Sequence, residues 1–469
     1  MKILIITCIP LLSIFLLSIK KYSRKLFYIS VCSLSLINIA LLSTLANQFQ
    51  KISLCSFLVI LLDKYSWFFV IVINVCWLLT TIYSFSFVRY DFQKKAKKFH
   101  FYLSLTLFTA TGSSFAGNLN TLFFFYLLSI PLIYPLITLR ENEEAKKAGK
   151  NYLLNNLAPA LFILLPTIIL CNYLTHNANF SDPIPESFYQ RPYLTSLVLA
   201  LFIIGMSKNC IFPFNRWLPA STPAPAPVTA LLHSVAVVKI GSISLIKIVV
   251  YIYHLDFLYK LSHNFFMTGW LTYLCGFSAL YAAFKALKTD NLKVRFSEST
   301  VSQLSYIITA ILTATPIAIL GAKLHIITHS IAKSCLFFIA GYYNSIYKTV
   351  SIKEISQIAT KKKLLSLSII ISGLSIAGFP FLAGYLSKDL MLVEELHSGN
   401  YAAAFFLILG SILNLMYILP LAKASFMGKD NPRLDNRAIP FSMKLAISLA
   451  TVLIIFLSVF SATMIKLCD

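Results

Sequence analysis

The segment KNCIFPFNRWLPASTPAPAPVTALLHSVAVVKIG, residues 208–241, decides how this sequence is interpreted. Lys208 closes one apolar run, and His233 and Lys239 lie within the next, with Pro213 and a proline-rich stretch between the two runs. Charged side chains are costly in lipid and usually face a protein interior or a water path. A helix is interrupted at membrane depth only where its backbone is buried in protein or lines a cavity. The combination indicates an ion path through a membrane protein.

Apolar runs of membrane-spanning length recur along all 469 residues, and 58% of the residues are hydrophobic. A bilayer is crossed by roughly 17–25 residues of helix, and no polar segment between the runs is long enough to fold alone. The sequence therefore predicts an all-α polytopic membrane protein with about 14 transmembrane helices. The predicted spans are 3–19, 26–46, 66–88, 100–117, 120–139, 152–172, 193–212, 227–250, 264–284, 301–321, 323–345, 365–393, 401–422 and 445–465.

Positive charge concentrates in alternate loops. The net charge is +23, and most of the Lys and Arg residues fall in odd-numbered loops, whereas even-numbered loops hold isolated cations such as Lys323. Cytoplasmic loops are enriched in Lys and Arg, so we predict a multi-pass membrane protein with the odd-numbered loops in the cytoplasm and both termini outside. The charge then reflects orientation in the lipid bilayer, and no nucleic acid is expected as a partner. The cation-rich loops are the first, third, fifth, ninth, eleventh and thirteenth, at residues 20–25, 89–98, 140–150, 285–295, 348–363 and 423–444.

Ionisable residues recur every four positions in the predicted eleventh span. His325, His329 and Lys333 therefore lie on one stripe of a helix. A metal site would need an acidic ligand as well, and the neighbouring sequence offers none, so a proton relay is favoured, with structural hydrogen bonding as the alternative. The same two interpretations apply to His233, whereas Lys239 is harder to explain as a structural residue.

Two predicted spans are interrupted in a related way. A Phe-Pro-Phe tripeptide centred on Pro213 follows Lys208 in the seventh span, and another centred on Pro380 precedes Lys388 in the twelfth. Paired interruptions five spans apart point to inverted repeats around a path at the membrane midplane. We predict helix breaks at both prolines and a proton path that includes both lysines. The acidic residues of 389–395 leave a solvated helix end as the alternative for Lys388.

The cysteines favour no metal or redox role. The chain has 9 of them, most in apolar runs and none in a CxxC pair, which is typical of small interior residues. The sequence also contains no nucleotide-binding loop and no haem or cluster ligand set. We therefore expect no metal, no cofactor and no catalytic site within this chain.

Residues 208–241 resemble the signature of the proton-translocating antiporter-like membrane subunits. These are the large subunits of Mrp-type sodium/proton antiporters and of NADH:quinone oxidoreductase (complex I). The similarity covers about residues 60–390, and the stretch ALLHSVAVVK at 230–239 is most similar to the D-type component of Mrp antiporters. Further matching segments are 151–154, 292–304, 325–337 and 377–388.

This resemblance implies a fourteen-span fold with two inverted five-helix repeats and broken seventh and twelfth helices. It also implies a proton path through Lys208, Lys239, the eleventh-span stripe and Lys388. The implied divisions are 1–99 for helices 1–3, 100–250 for the first repeat, 251–425 for the second repeat and 426–469 for the last helix.

One position departs from the family. Its members carry a glutamate just before Leu-Leu-Ser in the fifth span, paired with the seventh-span lysine, and here Tyr126 stands in that place, or Leu127 if the match shifts by one residue. The main expectation is a membrane subunit of a monovalent cation (Na⁺)/proton antiporter complex that assembles with other subunits. The expected location is a bacterial inner membrane, with both termini on its periplasmic side. A proton-pumping subunit of complex I is one alternative, and only there would the chain belong to an enzyme, a translocase. A structural subunit that has lost transport is the other.

Overall fold

The fold is built almost entirely from helices. The computed structural model describes residues 2–19, 23–46, 48–359, 362–427 and 437–468. Within them, a helix or a helix pair occupies the place of each predicted span, which confirms the all-α membrane fold. Among the described residues, eight helices are long and apolar enough to cross a membrane by length and composition. The spans are α1 (Lys2–Ser18), α2 (Arg24–Ser43), α3 (Lys64–Asp91), α4 (Ala96–Ser114), α5 (Leu119–Ile137), α6 (Glu143–Leu174), α7 (Pro192–Gly205), α8 (Ala226–Tyr253), α9 (Trp270–Lys288), α10 (Leu292–Thr313), α11 (Pro316–Tyr347), α12a (Lys363–Ala377), α12b (Ala383–His397), α13 (Tyr401–Met427) and α14 (Phe441–Val459).

The seventh and twelfth spans are interrupted, as predicted. After α7 the chain makes a 3-10 turn over Ser207–Asn209 and reaches a left-handed residue, Cys210. Gly378, with a φ of 83°, separates α12a from α12b. Pro213 and Pro380 both lie just beyond the helix ends, because a proline disfavours helical backbone in the residue before it.

The boundaries predicted for the tenth and eleventh spans are wrong. The side chain of Asn291 caps α10, which therefore begins well before residue 301. Thr315 caps α11, with Pro316 in its first turn. Lys323, predicted in a loop, consequently lies inside α11 with 2% exposure, and Lys293 lies inside α10 with 3%.

Two helices form the centre of the molecule. In α8 and α11, 89% and 100% of the most apolar window is buried within the protein, compared with 33% in α2. The other spans surround them, so α8 and α11 are enclosed by protein on nearly all sides. These two helices also carry most of the intramembrane lysines and histidines, which keeps those side chains away from lipid.

A short hairpin between α2 and α3 was not predicted from the sequence. Strand β1 (Gln50–Ser53) pairs antiparallel with β2 (Val59–Leu62), with Gln50 opposite Leu62. All four residues of β2 are buried, and the amide of Leu61 donates a hydrogen bond of 2.7 Å to the carbonyl of Phe115 after α4. The hairpin therefore packs against the ends of α3, α4 and α5.

Candidate functional site

Lys208 lies in the break after α7, and its side chain is fully buried. Its Nζ donates a hydrogen bond of 2.8 Å to the backbone carbonyl of Tyr126 and a second one to the hydroxyl of Ser129. The same Nζ lies 3.8 Å from the centroid of the Tyr126 ring. A carbonyl dipole, a hydroxyl and an aromatic face thus surround the amine, and each can stabilise a cation.

Tyr126 contacts Lys208 through its hydroxyl, its ring and its backbone carbonyl. Its hydroxyl oxygen accepts a hydrogen bond of 3.3 Å from the backbone N–H of Lys208, while the ring and the carbonyl contact the amine. Ser129, which sequence reasoning missed, follows three residues later and so lies on the same face of α5. The spacing of Tyr126 and Ser129 was visible in the sequence, but nothing in it selected this serine over others.

Asn209 connects the Lys208 break to α8. A Cβ on Gly241 would lie 2.5 Å from the Oδ1 of Asn209, so a glycine is required where α8 approaches the break. The side-chain amide of Asn209 is buried without a hydrogen-bond partner among the described residues. Lys239, two residues before Gly241, is likewise fully buried, and its Nζ has no partner in the part of the chain that the structure describes. Unpaired polar groups of this kind mark a place where water or a moving proton can be accommodated.

His233 lies one π-helical turn earlier, in residues Leu232–Ala236 of α8. Its Nδ1 lies 3.2 Å from the hydroxyl of Thr300, and its ring stacks on Phe337 with 4.3 Å between centroids. Single π-helical turns occur often at functional sites in proteins. The contacts with Thr300 and Phe337 fix the ring between α10 and α11, as a structural role of His233 requires.

The predicted stripe on α11 is buried along its whole length. His325 bridges two other helices, since its Nδ1 lies 2.9 Å from the Ser387 hydroxyl and its Nε2 lies 2.9 Å from Oε1 of Gln303. One turn later, neither ring nitrogen of His329 has a partner within the described residues. Lys333 donates a hydrogen bond of 2.8 Å to the carbonyl of Phe296. Ser330, next to His329, donates a hydrogen bond of 2.8 Å to the carbonyl of Ser234 and so joins α11 to α8.

Lys388 follows Ser387 on α12b and is nearly buried. Its Nζ donates hydrogen bonds of 3.2 Å to the carbonyl of Ala377 and 3.0 Å to the hydroxyl of Ser411. The break at Gly378 exposes the Ala377 carbonyl at the end of α12a, where the helix dipole favours a cation. Because Ser387 contacts His325, the α11 stripe and Lys388 form a continuous polar region.

Other buried cations lie outside the predicted site. Lys247 on α8 is fully buried, and its ammonium lies 3.6 Å from the carboxylate of Asp63. Lys293, assigned to a cytoplasmic loop, donates hydrogen bonds to the carbonyls of Thr222 and Ala224 in the proline-rich segment. These contacts join elements distant in sequence, so no local pattern predicts them.

Comparison with known proteins identifies the family. The sequence model of the family described as "NADH:quinone oxidoreductase/Mrp antiporter, TM" matches residues 116–414. The chain belongs to this family. This confirms the resemblance that the motifs suggested, and the family's matched segment includes every lysine and histidine of the site.

The curated relatives of this NADH:quinone oxidoreductase/Mrp antiporter family member include putative antiporter subunits. The "Putative antiporter subunit mnhA2" of Staphylococcus epidermidis is 27% identical over 359 residues, covering 71% of this chain and 44% of the relative. The protein of the same name from Staphylococcus aureus strain JH9 is 26% identical over 393 residues, covering 78% and 48%. The chain thus spans about half the length of these curated relatives. Their names carry the A designation, so a correspondence to the D-type component stays a prediction.

Solved structures share the fold over nearly the whole chain. A chain of the membrane-bound sulfane sulfur reductase, an archaeal respiratory membrane complex, superposes with a TM-score of 0.85 at 20% identity, covering 99% of this chain and 96% of that one. A chain of the Mrp complex from Dietzia sp. DQ12-45-1b gives a TM-score of 0.84 at 18% identity, covering 99% and 95%. The family member therefore has the fold of membrane subunits from two multi-subunit complexes.

Proposed function

We propose that this chain is an integral membrane subunit of a monovalent cation (Na⁺)/proton antiporter complex and that protons move through its buried lysines and histidines. The observation that carries this proposal is the chain of buried, incompletely hydrogen-bonded groups on α8, α11 and α12b. Lys239 and His329 lack hydrogen-bond partners within the described residues. An unpaired polar group in the core destabilises a fold, so a role in proton transport explains these two side chains better than a structural role does.

The proton path in this proposal begins at Lys208, passes Asn209 to Lys239, continues along the α11 stripe and ends at Lys388. His233 borders the path through its contacts with α10. The groups that bridge consecutive members are hydroxyls and amides, which order water well. We also propose the inverted repeats at 100–250 and 251–425, flanked by 1–99 and 426–469, and a bacterial inner membrane location with both termini periplasmic.

The test uses the complete complex in everted membrane vesicles. The vesicles are acidified by respiration, and the dissipation of the pH gradient is followed after Na⁺, K⁺ or Li⁺ is added. Cation-dependent dissipation that requires this chain supports the proposal. Full dissipation in vesicles from a strain that lacks only this chain contradicts it.

The same experiments distinguish two alternative functions. A complex I subunit would copurify with redox subunits, and its proton flux would depend on NADH and quinone and not on added Na⁺. A structural subunit is favoured by one specific observation, the aromatic Tyr126 in place of the family's glutamate. In that case the assembled complex would keep its flux when Lys239 and Lys388 are replaced.

A further inference from the structure

Glu395 is a buried acid that the proposed path does not use. It lies near the end of α12b with 0% exposure, and neither oxygen of its carboxylate has a hydrogen-bond partner among the described residues. Glu394, directly before it, is half exposed. Burying an ionised carboxylate without hydrogen bonds costs several kcal/mol, and even a neutral polar group without a partner is unfavourable. The fold therefore gains no stability from an acid at this position.

The helix places Glu395 on the same face as Lys388. Seven residues make almost two full turns, so the two side chains point in the same direction, roughly 10.5 Å apart along the axis. The buried face of α12b also includes Ser387 and Met391. Lys388 is thus the terminal member of the proposed path and Glu395 its next ionisable neighbour on this buried face.

A methionine lies between the two. Met391 packs against Gly321 of α11, where an added Cβ would lie 2.8 Å from its Cγ. Methionine is unbranched and flexible, so it can move aside without breaking a hydrogen bond. Because Gly321 has no side chain, α11 approaches α12b closely at Met391. The Met391 side chain is then the barrier between the Lys388 amine and the Glu395 carboxylate.

Beyond Glu395 the chain reaches the protein surface within one turn. The carbonyl of Ser398 accepts hydrogen bonds from the hydroxyl of Tyr259 at 3.3 Å and contacts Nε2 of His263 at 2.5 Å. A cavity of about 220 Å³ opens beside this junction and is lined by His263, Asn400 and residues around them. Along the chain, Glu395 therefore lies between Lys388, the end of the proposed path, and Gly399, which lines this cavity.

We propose that Glu395 is a proton-carrying residue that connects Lys388 with this cavity. In the outward step an N–H bond of the Lys388 ammonium breaks and an O–H bond forms on the Glu395 carboxylate, with the proton carried between them by a chain of waters that enters when Met391 moves aside. The Glu395 acid then releases this proton to water in the cavity, and the carboxylate is restored. The inference rests on the proposed transport function and adds one named residue to its path.

The experiment compares three variants of the complete complex in vesicles. Glu395→Gln removes the ability to carry a proton, and we expect a loss of cation-dependent proton flux of about 100-fold. Glu394→Gln removes the same charge from a half-exposed position and is expected to keep the flux. Glu395→Leu serves as a second variant, because it leaves no unpaired polar atom if the glutamine fails to assemble. Full flux in an assembled Glu395→Gln or Glu395→Leu complex overturns the proposal.

An infrared measurement separates this proposal from the transport function itself. Upon exchange of H₂O for D₂O, a protonated carboxyl that exchanges its proton gives a shifted C=O band in the purified complex. We expect this band in the unmodified protein and in Glu394→Gln, and its loss in Glu395→Gln. If the unmodified complex shows no flux, the transport proposal fails; the band then decides on Glu395 alone, and its absence overturns the proton-carrying role.

Discussion

The ammonium of Lys247 lies 3.6 Å from the carboxylate of Asp63, and both side chains are almost completely buried. The same ammonium donates hydrogen bonds of 2.7 Å and 2.8 Å to the carbonyls of Ser114 and Ala116 at the end of α4. Asp63 caps α3 and accepts a hydrogen bond of 2.8 Å from the hydroxyl of Tyr251. One ion pair thus holds α3, α4 and α8 together at the hairpin side of the molecule.

Replacing Lys247 with Met should destabilise the protein by about 3–5 kcal/mol, because a buried Asp63 carboxylate then loses its counter-charge. The measurement is thermal unfolding of the purified protein in detergent. Lys51→Ala is the matched control, since it removes an exposed pair with Asp182 and should cost about 0–1 kcal/mol. Equal losses in the two variants would show that the buried pair has no special role.

Restoring the family's acid should strengthen the first part of the path. Tyr126→Glu places a carboxylate beside Lys208, and we expect the proton flux of the complex to rise, because the amine gains a partner that can exchange protons with it. In a Lys208→Ala background the same change should have no effect on flux. This double-mutant cycle isolates the pair. An identical effect with and without Lys208 would show that the two positions are not coupled.

Lys239 and Lys388 should both be required for transport. Lys239→Ala and Lys388→Ala each remove a buried lysine of the proposed path, so we expect cation-dependent proton flux in vesicles to be abolished. Lys260→Ala, which changes an exposed lysine, is the control and should leave the flux intact. Unchanged flux in both buried variants would favour the structural-subunit alternative.

The two histidines of α11 should respond differently to the same substitution. His325→Leu leaves the buried Oε1 of Gln303 without this hydrogen-bond partner and removes the contact with the Ser387 hydroxyl, so it should destabilise the protein by about 1–3 kcal/mol. His329→Leu breaks no hydrogen bond seen in the described residues, so its melting temperature should change little while proton flux falls. Thermal unfolding and flux are measured on the same preparations. Equal destabilisation by the two changes would contradict this division of roles.

The sequence was sufficient to locate the spans, but not the polar segments inside the bundle. Apolar windows found each membrane helix, yet they placed the tenth span nine residues late, from residue 301 where the helix begins at Leu292. Arg295 and Glu298 lie within that helix and are largely buried. A hydropathy argument assigns such residues to water, whereas protein neighbours enclose them here. For the eleventh span, the Thr315-Pro316 start signal was a better indicator of the helix boundary than hydropathy.

The site was predictable where helix periodicity was sufficient. The four-residue spacing of His325, His329 and Lys333 placed them on one stripe, and all three are buried. Glu394 and Glu395 show the limit of this reasoning. They are identical and adjacent, and only the phase of α12b relative to its neighbours decides which one is buried. That phase depends on tertiary packing, such as the contact between Met391 and Gly321.

The enclosure of α11 by protein has a consequence for how the chain is made. This helix carries Lys323, His325, His329 and Lys333, and each lysine near the middle of an isolated span opposes insertion by about 2.5–3.5 kcal/mol. It packs against α3, α8 and α10, which leave the ribosome earlier, and against α12a, α12b and α14, which leave later. A nascent chain that ends at Tyr347 would therefore present one flank of its most polar span to lipid, and only synthesis of the last three spans closes that flank.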